Sequence, residues 1–144
     1  CVRVARLYRF DPKAAFLSHS TFGKPISKNT KHLRDAIEIL KQEKVDFNFD
    51  GEMQPDVALN PIYQEIYPFS KIVGNANILI MPALHSAAIS TKLMKVFGGG
   101  KLIGPLLIGL GLPIEVAPLR SSTSDILNLA SIAAYSSDII DYSN

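Results

Sequence analysis

Residues Asn77-Ile78-Leu79-Ile80-Met81 form a short, continuous apolar run that Pro82 ends, and this run is the clearest indication of the fold. Such a run predicts a strand that is buried on both faces, as in a parallel sheet. Residues 84–97 follow with helical periodicity, and Gly98-Gly99-Gly100 ends that segment. A buried strand that leads into a helix predicts one unit of an α/β fold.

The alternation of strands and helices continues on both sides of this unit. Further strands are predicted at residues 13–17, 45–49, 101–108 and 113–116. Further helices are predicted at residues 2–8, 29–44, 56–67 with a break at Pro61, and 122–142. Because the strands are apolar on both faces, we predict a three-layer α/β/α fold with a mostly parallel sheet. Residues 1–144 are expected to form a single, partial domain.

Several side chains are predicted to mark the ends and the buried faces of these helices. Asn29 is a candidate N-cap, and Ser122 and Asp125 have the spacing of a capping box. The last two helices each carry an apolar face that predicts burial. These faces consist of Ile89, Leu93, Val96 and Phe97 in the first, and Ile126, Leu129, Ala133 and Ile140 in the second.

The composition is that of an ordinary globular domain. Of the 144 residues, 47% are hydrophobic and 19% are charged, which excludes a disordered or collagen-like chain. The formal net charge of +2, without a basic stripe, gives no indication of nucleic-acid binding. The longest apolar stretch, residues 102–114, is interrupted by Gly and Pro and is shorter than the ~20 residues that span a bilayer, so no membrane association is predicted.

The single cysteine, Cys1, excludes an internal disulfide and a cysteine-rich metal site. One cysteine in a chain of this length is typical of a reducing compartment, so we expect a cytoplasmic protein without a signal peptide. The chain begins at Cys1 rather than at Met, within a predicted helix, and we expect it to be a piece of a longer protein.

Three loops follow predicted strands, which is where ligands of open α/β sheets collect. In the first, residues 18–23, hydroxyl groups and His19 precede a helix and suit an anion such as phosphate. Ordinary capping of that helix is the alternative. In the third, residues 118–125, Arg120 and Ser121 precede a helix N-terminus and suit a phosphate as well. The alternative there is an N-cap beside an exposed arginine.

The second loop, residues 50–56, contains three carboxylates. Asp50, Glu52 and Asp56 are oxygen donors of the kind that bind metal ions, but the further ligands of a calcium loop are missing. Turn and capping roles explain two of the three, so no metal site is predicted. The sequence also lacks a Ser-His-Asp or Cys-His arrangement, a dinucleotide fingerprint and a P-loop.

The segment Asp50-Gly51-Glu52-Met53-Gln54-Pro55-Asp56 resembles the Asp-Gly-Glu-x-Gln-x-Asp motif of the phosphate acetyl/butyryltransferase family. The resemblance covers nearly the whole chain, through residues 17–23, 72–82, 103–105, Gly109, Pro113 and 124–128. It implies the α/β/α architecture of the isocitrate/isopropylmalate dehydrogenase type. It also implies one of two uses. One is a phosphate acetyltransferase that exchanges acetyl between coenzyme A and phosphate, and the other is the acetyl-CoA-responsive C-terminal domain of bacterial NADP-dependent malic enzymes.

The loop before the last helix distinguishes these two uses. Transferases of the family carry a Ser-Arg pair ahead of an Asp that aligns with Asp125, whereas Pro118 and Leu119 occupy the aligned positions here and Arg120 lies one position away. Loss of one transition-state donor typically costs about 100- to 1000-fold in rate. Ala87-Ala88, where the family often carries an Asn, is a second departure. The departure in the loop, residues 117–122, favours the malic-enzyme use.

We therefore expect a regulatory and assembly domain that binds an acyl-CoA and has no catalytic residue of its own. The ligand, acetyl-CoA or phosphate, is expected to contact Ser18, Ser20, Asp50, Gln54, Arg120, Ser121 and Asp125. By the resemblance, the parent enzyme decarboxylates malate to pyruvate with NADP and a divalent metal that bind outside this chain. The apolar helices predict a homo-oligomer. The alternatives are a working phosphate acetyltransferase and a purely structural oligomerisation module.

Overall fold

The computed structural model describes residues 1–26 and 28–139. They form two compact units, Cys1–Thr91 and Lys92–Asn144, of which the second is described as far as residue 139. None of the helices in these described ranges is long and apolar enough to cross a bilayer.

A three-stranded parallel sheet forms the centre of the first unit. Its strands are β1 (Lys13–Leu17), β2 (Asn48–Met53) and β3 (Ile78–Ile80), in the order β2-β1-β3. Ala15 lies opposite Asp50 on one side and opposite Leu79 on the other. The prediction of an α/β fold with a parallel sheet is therefore confirmed.

Helices connect the strands and follow them. They are α1 (Val2–Leu7), α2 (Lys31–Gln42), α3 (Pro55–Leu59), α4 (Ile62–Ile66) and α5 (Leu84–Phe97), and α6 (Thr123–Ile139) lies in the second unit. The predicted break at Pro61 separates α3 from α4. Proline lacks the amide hydrogen that a continuous helix would need at this position.

Two apolar clusters cover the opposite faces of the sheet. Successive side chains of a strand point to opposite faces, and accordingly Ala14 and Phe16 of β1 belong to one cluster and Ala15 and Leu17 to the other. The first cluster also contains Ala5 of α1, Leu33 and Ile37 of α2, Phe49 and Ile78. The second also contains Met53, Val57 and Ala58 of α3, Ile72 and Ala76. Helices thus pack on both faces, which gives the three predicted layers.

Strand β2 begins later than predicted, at Asn48 instead of residue 45, and continues to Met53. The polar residues Asp50 and Glu52, which were predicted to lie in a loop, are therefore in the strand and buried. Burial of carboxylates is tolerated where hydrogen bonds replace their hydration. In the described part of the chain, every buried polar side-chain atom has such a partner.

The prediction of Asn29 as an N-cap is wrong. A 3-10 turn, Lys28–Thr30, precedes α2, and Thr30 is the N-cap residue. Short 3-10 turns commonly lead into α-helices and shift their first residue. Near the other end of α2, Glu38 and Lys41 form an exposed ion pair with an Nζ–Oε2 distance of 3.2 Å.

The predicted strands at residues 101–108 and 113–116 are wrong, because the structure has no strand in these ranges. Pro105 and Pro113 lack an amide hydrogen for a ladder. Gly104 and Gly109 have φ values of +129° and +87°, which are not those of a strand. The segment has the apolar composition of a strand, but its prolines and glycines do not allow the backbone conformation and hydrogen bonds of one.

Helices α5 and α6 were predicted in the correct places, but the predicted burial is largely absent from the described residues. No residue of α5 is buried, and Ile89 and Phe97 are 60% and 81% exposed. On α6, Leu129 is buried but Ile126 is half-exposed. Ile140 and the predicted end at residue 142 lie outside the described residues.

Candidate ligand-binding site

The loop after β1, residues 18–23, lies at the carboxyl end of the parallel sheet and is bonded to the end of β2. We call it the β1 loop. The Ser18 amide donates to the Met53 carbonyl at 2.9 Å, and the Phe22 amide donates to the Glu52 carbonyl at 2.7 Å. These two main-chain bonds hold the loop against β2 beyond the last residues of the sheet.

Gln54, the residue after β2, adds two further hydrogen bonds to the β1 loop. Its amide donates to Thr21 Oγ1 at 3.1 Å, and its side-chain Nε2 donates to the His19 carbonyl at 2.7 Å. The imidazole of His19 is exposed, whereas Ser18, Ser20 and Thr21 are buried. The loop is therefore fixed from its first to its fifth residue.

Gly51 allows β2 to approach β1 at the point where the loop begins. Its φ is +147°, and a Cβ atom there would lie 2.7 Å from the Phe16 carbonyl oxygen. A real Cβ atom does not approach a backbone oxygen so closely, and the φ value itself is one that side chains rarely adopt. The Asp-Gly-Glu motif thus requires glycine at its second position.

A polar network beneath the β1 loop contains the buried residues Ser18, Ser20, Thr30 and Glu52 and the 41% exposed side chain of Arg34, whose Nη1 donates to Thr30 Oγ1 at 2.6 Å. The side chain of Glu52 is 0% exposed, and Arg34 Nη1 of helix α2 lies 3.0 Å from each of its carboxylate oxygens. Ser20 Oγ donates to Glu52 Oε1 at 2.7 Å. Ser18 Oγ lies 3.2 Å from Ser20 Oγ and accepts the Ser20 amide at 3.3 Å.

Asp50 has its own partners, which differ from those of the network. Its Oδ2 accepts the Lys71 amide at 2.7 Å, and its Oδ1 accepts the Gly51 amide at 2.9 Å. Both carboxylate oxygens therefore hold the backbone, and Oδ2 fixes the segment after α4 to the sheet. Asp50, Glu52 and Asp56 do not converge, and no group of three potential metal ligands exists among the described residues.

Three aromatic rings pack together beside the β1 loop. The ring of Phe22 lies 4.8 Å from that of Phe69 and 5.4 Å from that of Tyr67, in tilted and edge-on arrangements that aromatic pairs favour. Phe69 is 64% exposed, whereas Phe22 and Tyr67 are half-buried against the second core cluster. An apolar surface therefore adjoins the polar loop.

In the second unit, residues 118–122 form the loop before α6, which we call the α6 loop. The predicted capping box is confirmed. The Ser122 amide donates to Asp125 Oδ2 at 3.0 Å, and the Asp125 amide donates to Ser122 Oγ at 3.2 Å. The Ser122 hydroxyl also donates to Asp125 Oδ2 at 2.8 Å. These bonds hold the pKa of Asp125 below its ordinary range, and Lys101, 3.8 Å away, lowers the pKa further.

The rest of the α6 loop is open. Its Ser121 amide donates to the Pro118 carbonyl at 2.9 Å, which forms a turn. Arg120 is exposed, and Leu119 is fully exposed. Pro118 and Leu119, which occupy the positions of the Ser and Arg of the transferases, therefore contribute no polar side-chain atom.

The structure divides the predicted ligand residues between the two units. Ser18, Ser20 and Gln54 come together around the β1 loop, and Asp50 lies on the same strand as Glu52 but is bonded elsewhere. Arg120, Ser121 and Asp125 belong to the second unit. Arg34 was not among the predicted site residues, and Glu52 was weighed as a metal ligand and as part of the family motif, but not as the partner of Ser20 and Arg34. The one signal for Arg34 was its position beside the buried stripe of Leu33 and Ile37 on α2.

Comparison with known families gives a consistent result. The phosphate acetyl/butaryl transferase family matches residues 2–134. The chain is 47% identical, over 132 residues, to an NADP-dependent malic enzyme from Rhizobium meliloti, covering 92% of this chain and 17% of that protein. It is 34% identical, over 131 residues, to a phosphate acetyltransferase from Bacillus subtilis, covering 90% of this chain and 41% of that protein.

Solved structures agree with the sequence relatives. A phosphotransacetylase from Streptococcus pyogenes superposes with a TM-score of 0.89 at 35% identity, covering 96% of this chain and 43% of that one. The EutD phosphotransacetylase from Staphylococcus aureus superposes with a TM-score of 0.84 at 31% identity, covering 94% and 42%. The chain thus spans less than half the length of each of these relatives.

Proposed function

We propose that this chain, which belongs to the phosphate acetyl/butaryl transferase family, is a regulatory, acyl-CoA-binding part of an NADP-dependent malic enzyme. Identity to the malic enzyme of Rhizobium meliloti, at 47%, exceeds the 34% identity to the Bacillus subtilis transferase. The parent would decarboxylate malate to pyruvate, with NADP and a divalent metal bound outside this chain. A cytoplasmic location, and a single, partial domain over residues 1–144 that is the C-terminal part of a phosphotransacetylase-like domain, belong to the same proposal.

The observation that carries the ligand proposal is the fixed β1 loop at the carboxyl end of the sheet. Ligands of open α/β sheets bind at this edge, and a loop held by hydrogen bonds loses little conformational freedom on binding. The ligand in this proposal is acetyl-CoA or phosphate. The residues predicted to contact it are Ser18, Ser20, Asp50, Gln54, Arg120, Ser121 and Asp125.

The proposal assigns no catalytic residue to this chain. By the family resemblance, transfer of the acetyl group uses a Ser and an Arg at the positions of Pro118 and Leu119. A proline ring has no hydroxyl to donate, and an aliphatic side chain cannot stabilise the negative charge of phosphate. Two missing donors, each worth about 100- to 1000-fold, would reduce turnover below a useful rate.

Calorimetric titration of the full-length natural protein with acetyl-CoA tests the binding role. We expect saturable heat at micromolar to millimolar ligand, together with a change in the rate of malate-dependent NADP reduction. Binding without any change in that rate would contradict regulation. No heat at millimolar acetyl-CoA or phosphate would contradict the ligand proposal as a whole.

The second candidate function is phosphate acetyltransferase activity. The likeness to two phosphotransacetylase structures, with TM-scores of 0.84 and 0.89, favours it, and Arg120 lies one residue from the position of the family's arginine. An assay for acetyl phosphate formation from acetyl-CoA and phosphate decides between the two. Turnover that is abolished by Arg120→Ala would establish the transferase and overturn the regulatory proposal.

An assembly role accompanies the regulatory one, because α5 exposes apolar side chains along its length. We expect the full-length protein to form a homo-oligomer. Light scattering tests this, and a strict monomer would contradict it. A protein that forms oligomers but binds neither acetyl-CoA nor phosphate would instead match a purely structural module.

A further inference from the structure

Phe22, the fifth residue of the β1 loop, has an unusual backbone conformation. Its φ is +48°, in the left-handed region that bulky side chains rarely adopt. Arg9 and Lys44 also have a positive φ, but each directly follows the C-cap of a helix, where this conformation is common. Phe22 does not follow a helix, so its conformation requires another explanation.

A tight turn imposes this conformation on Phe22. The Thr21 amide donates to the Lys24 carbonyl at 2.9 Å, and the Lys24 amide donates to the Thr21 carbonyl at 3.0 Å. Gly23, the other central residue of the turn, has a φ of +83°. Two positive φ values are typical of a type I′ turn, in which asparagine and glycine are the usual residues. A phenylalanine is unfavourable in such a turn, so its ring must contribute something that an asparagine side chain could not.

Phe69 lies on a second fixed turn. The Ser70 amide donates to the Tyr67 carbonyl at 2.9 Å, and Pro68 occupies the turn position that its fixed φ favours. The centre of the Phe69 ring is 4.8 Å from that of Phe22. Two turns closed by main-chain hydrogen bonds therefore hold these rings together before any ligand binds.

The ring of Phe69 is the most exposed of the three aromatic rings beside the β1 loop. Its residue is 64% exposed, and the rings of Phe22 and Tyr67 are inclined to it by 69° and 82°. Neither of these rings is stacked parallel on Phe69, so a face of its ring is accessible to a ligand. A rigidly held aromatic face is suited to stacking of a nucleobase, because every base offers a π-face of its own.

The charges along the two turns suit a base that carries phosphate groups. Lys24 ends the first turn, and Lys71 directly follows the second, where its ammonium lies 5.9 Å from the Phe49 ring. Both lysines are exposed, and neither residues 18–26 nor residues 66–71 include an Asp or a Glu. The adenosine part of coenzyme A combines a base with phosphates, and such anions are attracted to local positive charge.

We propose that the rings of Phe22, Tyr67 and Phe69 form a platform on which the adenine ring of the acyl-CoA stacks, with Phe69 in direct contact. This inference rests on the proposed function, from which it takes the ligand. It assigns the recognition of a purine base, rather than of the acyl group, to this edge of the sheet. Because both turns are fixed beforehand, the protein loses little conformational freedom when the base stacks.

The test is calorimetric titration of the full-length natural protein and its variants with two probes. One is acetyl-CoA, and the other is adenosine 3′,5′-bisphosphate, which has the adenine but no pantetheine arm. Phe69→Ala should weaken the binding of both probes by about tenfold, as expected for the loss of one stack between a base and an aromatic ring. Phe69→Leu, which keeps an apolar side chain without a π-face, should behave like Phe69→Ala. Phe69→Tyr keeps a ring and should bind within about threefold of the natural protein.

Phe10→Ala is the matched control. Phe10 is 60% exposed, close to the exposure of Phe69, but it precedes β1 and so lies at the opposite, amino end of that strand. The variant should leave the affinity for both probes unchanged. Thermal unfolding of every variant, measured in parallel, shows that the protein titrated is folded.

Every other outcome is decisive as well. Unchanged affinity in Phe69→Ala, or natural affinity in Phe69→Leu, would overturn the platform and leave the proposed function intact. Weaker binding of acetyl-CoA alone, or no binding of the bisphosphate, would overturn it too, because Phe69 would then not contact the adenine. If the natural protein binds the bisphosphate but not acetyl-CoA, the acyl-CoA proposal falls, and the effect of Phe69→Ala on the bisphosphate decides whether the platform binds adenine. If it binds neither probe, both proposals fall.

Discussion

The β1 loop and the α6 loop both carry predicted ligand residues, but they hold their polar side chains in different ways. In the β1 loop, Ser20 is fully buried and bonds to Glu52, 32 residues away in the sequence. In the α6 loop, the Ser122 hydroxyl bonds to Asp125, three residues away, and the side chains of Leu119 and Arg120 are exposed. One loop is fixed by long-range contacts and the other by a local helix cap.

This difference has a thermodynamic consequence. Local caps form with their helix and contribute about 1 kcal/mol. A buried charged network forms only when separate helices and strands have packed together. Removal of one charged side chain then leaves its partner's charge unpaired in a medium of low dielectric constant. Substitutions should therefore be far more damaging beneath the β1 loop than in the α6 loop.

The largest effect is expected for Arg34→Met. It leaves the carboxylate of Glu52 buried without its cation, and loss of one partner of a buried pair costs about 3–5 kcal/mol. Because the side chain of Arg34 is 41% exposed, the expected loss is near 3 kcal/mol. Denaturant unfolding of the full-length protein measures it, with Asp35→Asn as the control. A loss below about 1 kcal/mol would mean that solvent readily reaches Glu52.

The next largest effect is expected for Gly51→Ala. The new methyl group would lie 2.7 Å from the Phe16 carbonyl oxygen, at a φ of +147°. Overpacking of this kind costs about 1–3 kcal/mol, and the displaced end of β2 should also weaken ligand binding. Gly111→Ala is the matched control, since nothing lies within 4 Å of its position. Equal stabilities of the two variants, measured by thermal unfolding, would refute the close approach.

A smaller effect is expected for Ser122→Ala in the α6 loop. The variant removes the hydroxyl that caps α6, at a cost of about 1 kcal/mol. Ser131→Ala, within the same helix, removes only a hydroxyl bonded to the Leu127 carbonyl and should be nearly neutral. Amide hydrogen exchange in the first turn of α6, measured for both variants, distinguishes them. Unchanged protection in Ser122→Ala would contradict the cap.

The smallest effect concerns pH. The Ser122 hydrogen bonds and Lys101 hold the pKa of Asp125 below its ordinary value of 3.8, so the carboxylate is stabilised in the folded protein. Its contribution is fully present above pH 3.8 and is lost as the pH falls through the lowered pKa. A carboxyl-detected NMR titration measures this. In Ser122→Ala the pKa of Asp125 should rise towards its ordinary value, and an unchanged titration would exclude Ser122 as the main cause.

The sequence predicted those features that depend on local patterns. The break at Pro61, the bounds of α5 and the capping box of Ser122 and Asp125 all follow from residues within one or two turns. The parallel sheet followed from apolar runs between helices. The strand predictions within residues 101–116 failed. The apolar composition indicated strands there, but Pro105 and the glycine conformations do not permit them.

The buried polar network depends on contacts that no local pattern contains. Arg34 and Glu52 are 18 residues apart, on different elements, and each alone is typical of an exposed charged residue. The predicted bounds of β2 were wrong for a related reason. Asp50 and Glu52 are charged and were expected to be exposed, and their burial depends on hydrogen-bond partners elsewhere in the chain. A resemblance to a family located the motif, but only the structure showed what its glutamate does.

The exposed apolar side chains of α5 have a practical consequence for laboratory work with this segment. Leu84, Val96 and Phe97 are each more than 70% exposed, and exposed apolar side chains promote aggregation. Recombinant residues 1–144 should therefore bind hydrophobic dyes and precipitate at high concentration. Detergent screens, or charged substitutions along α5, would be a sensible first step for anyone who purifies it alone.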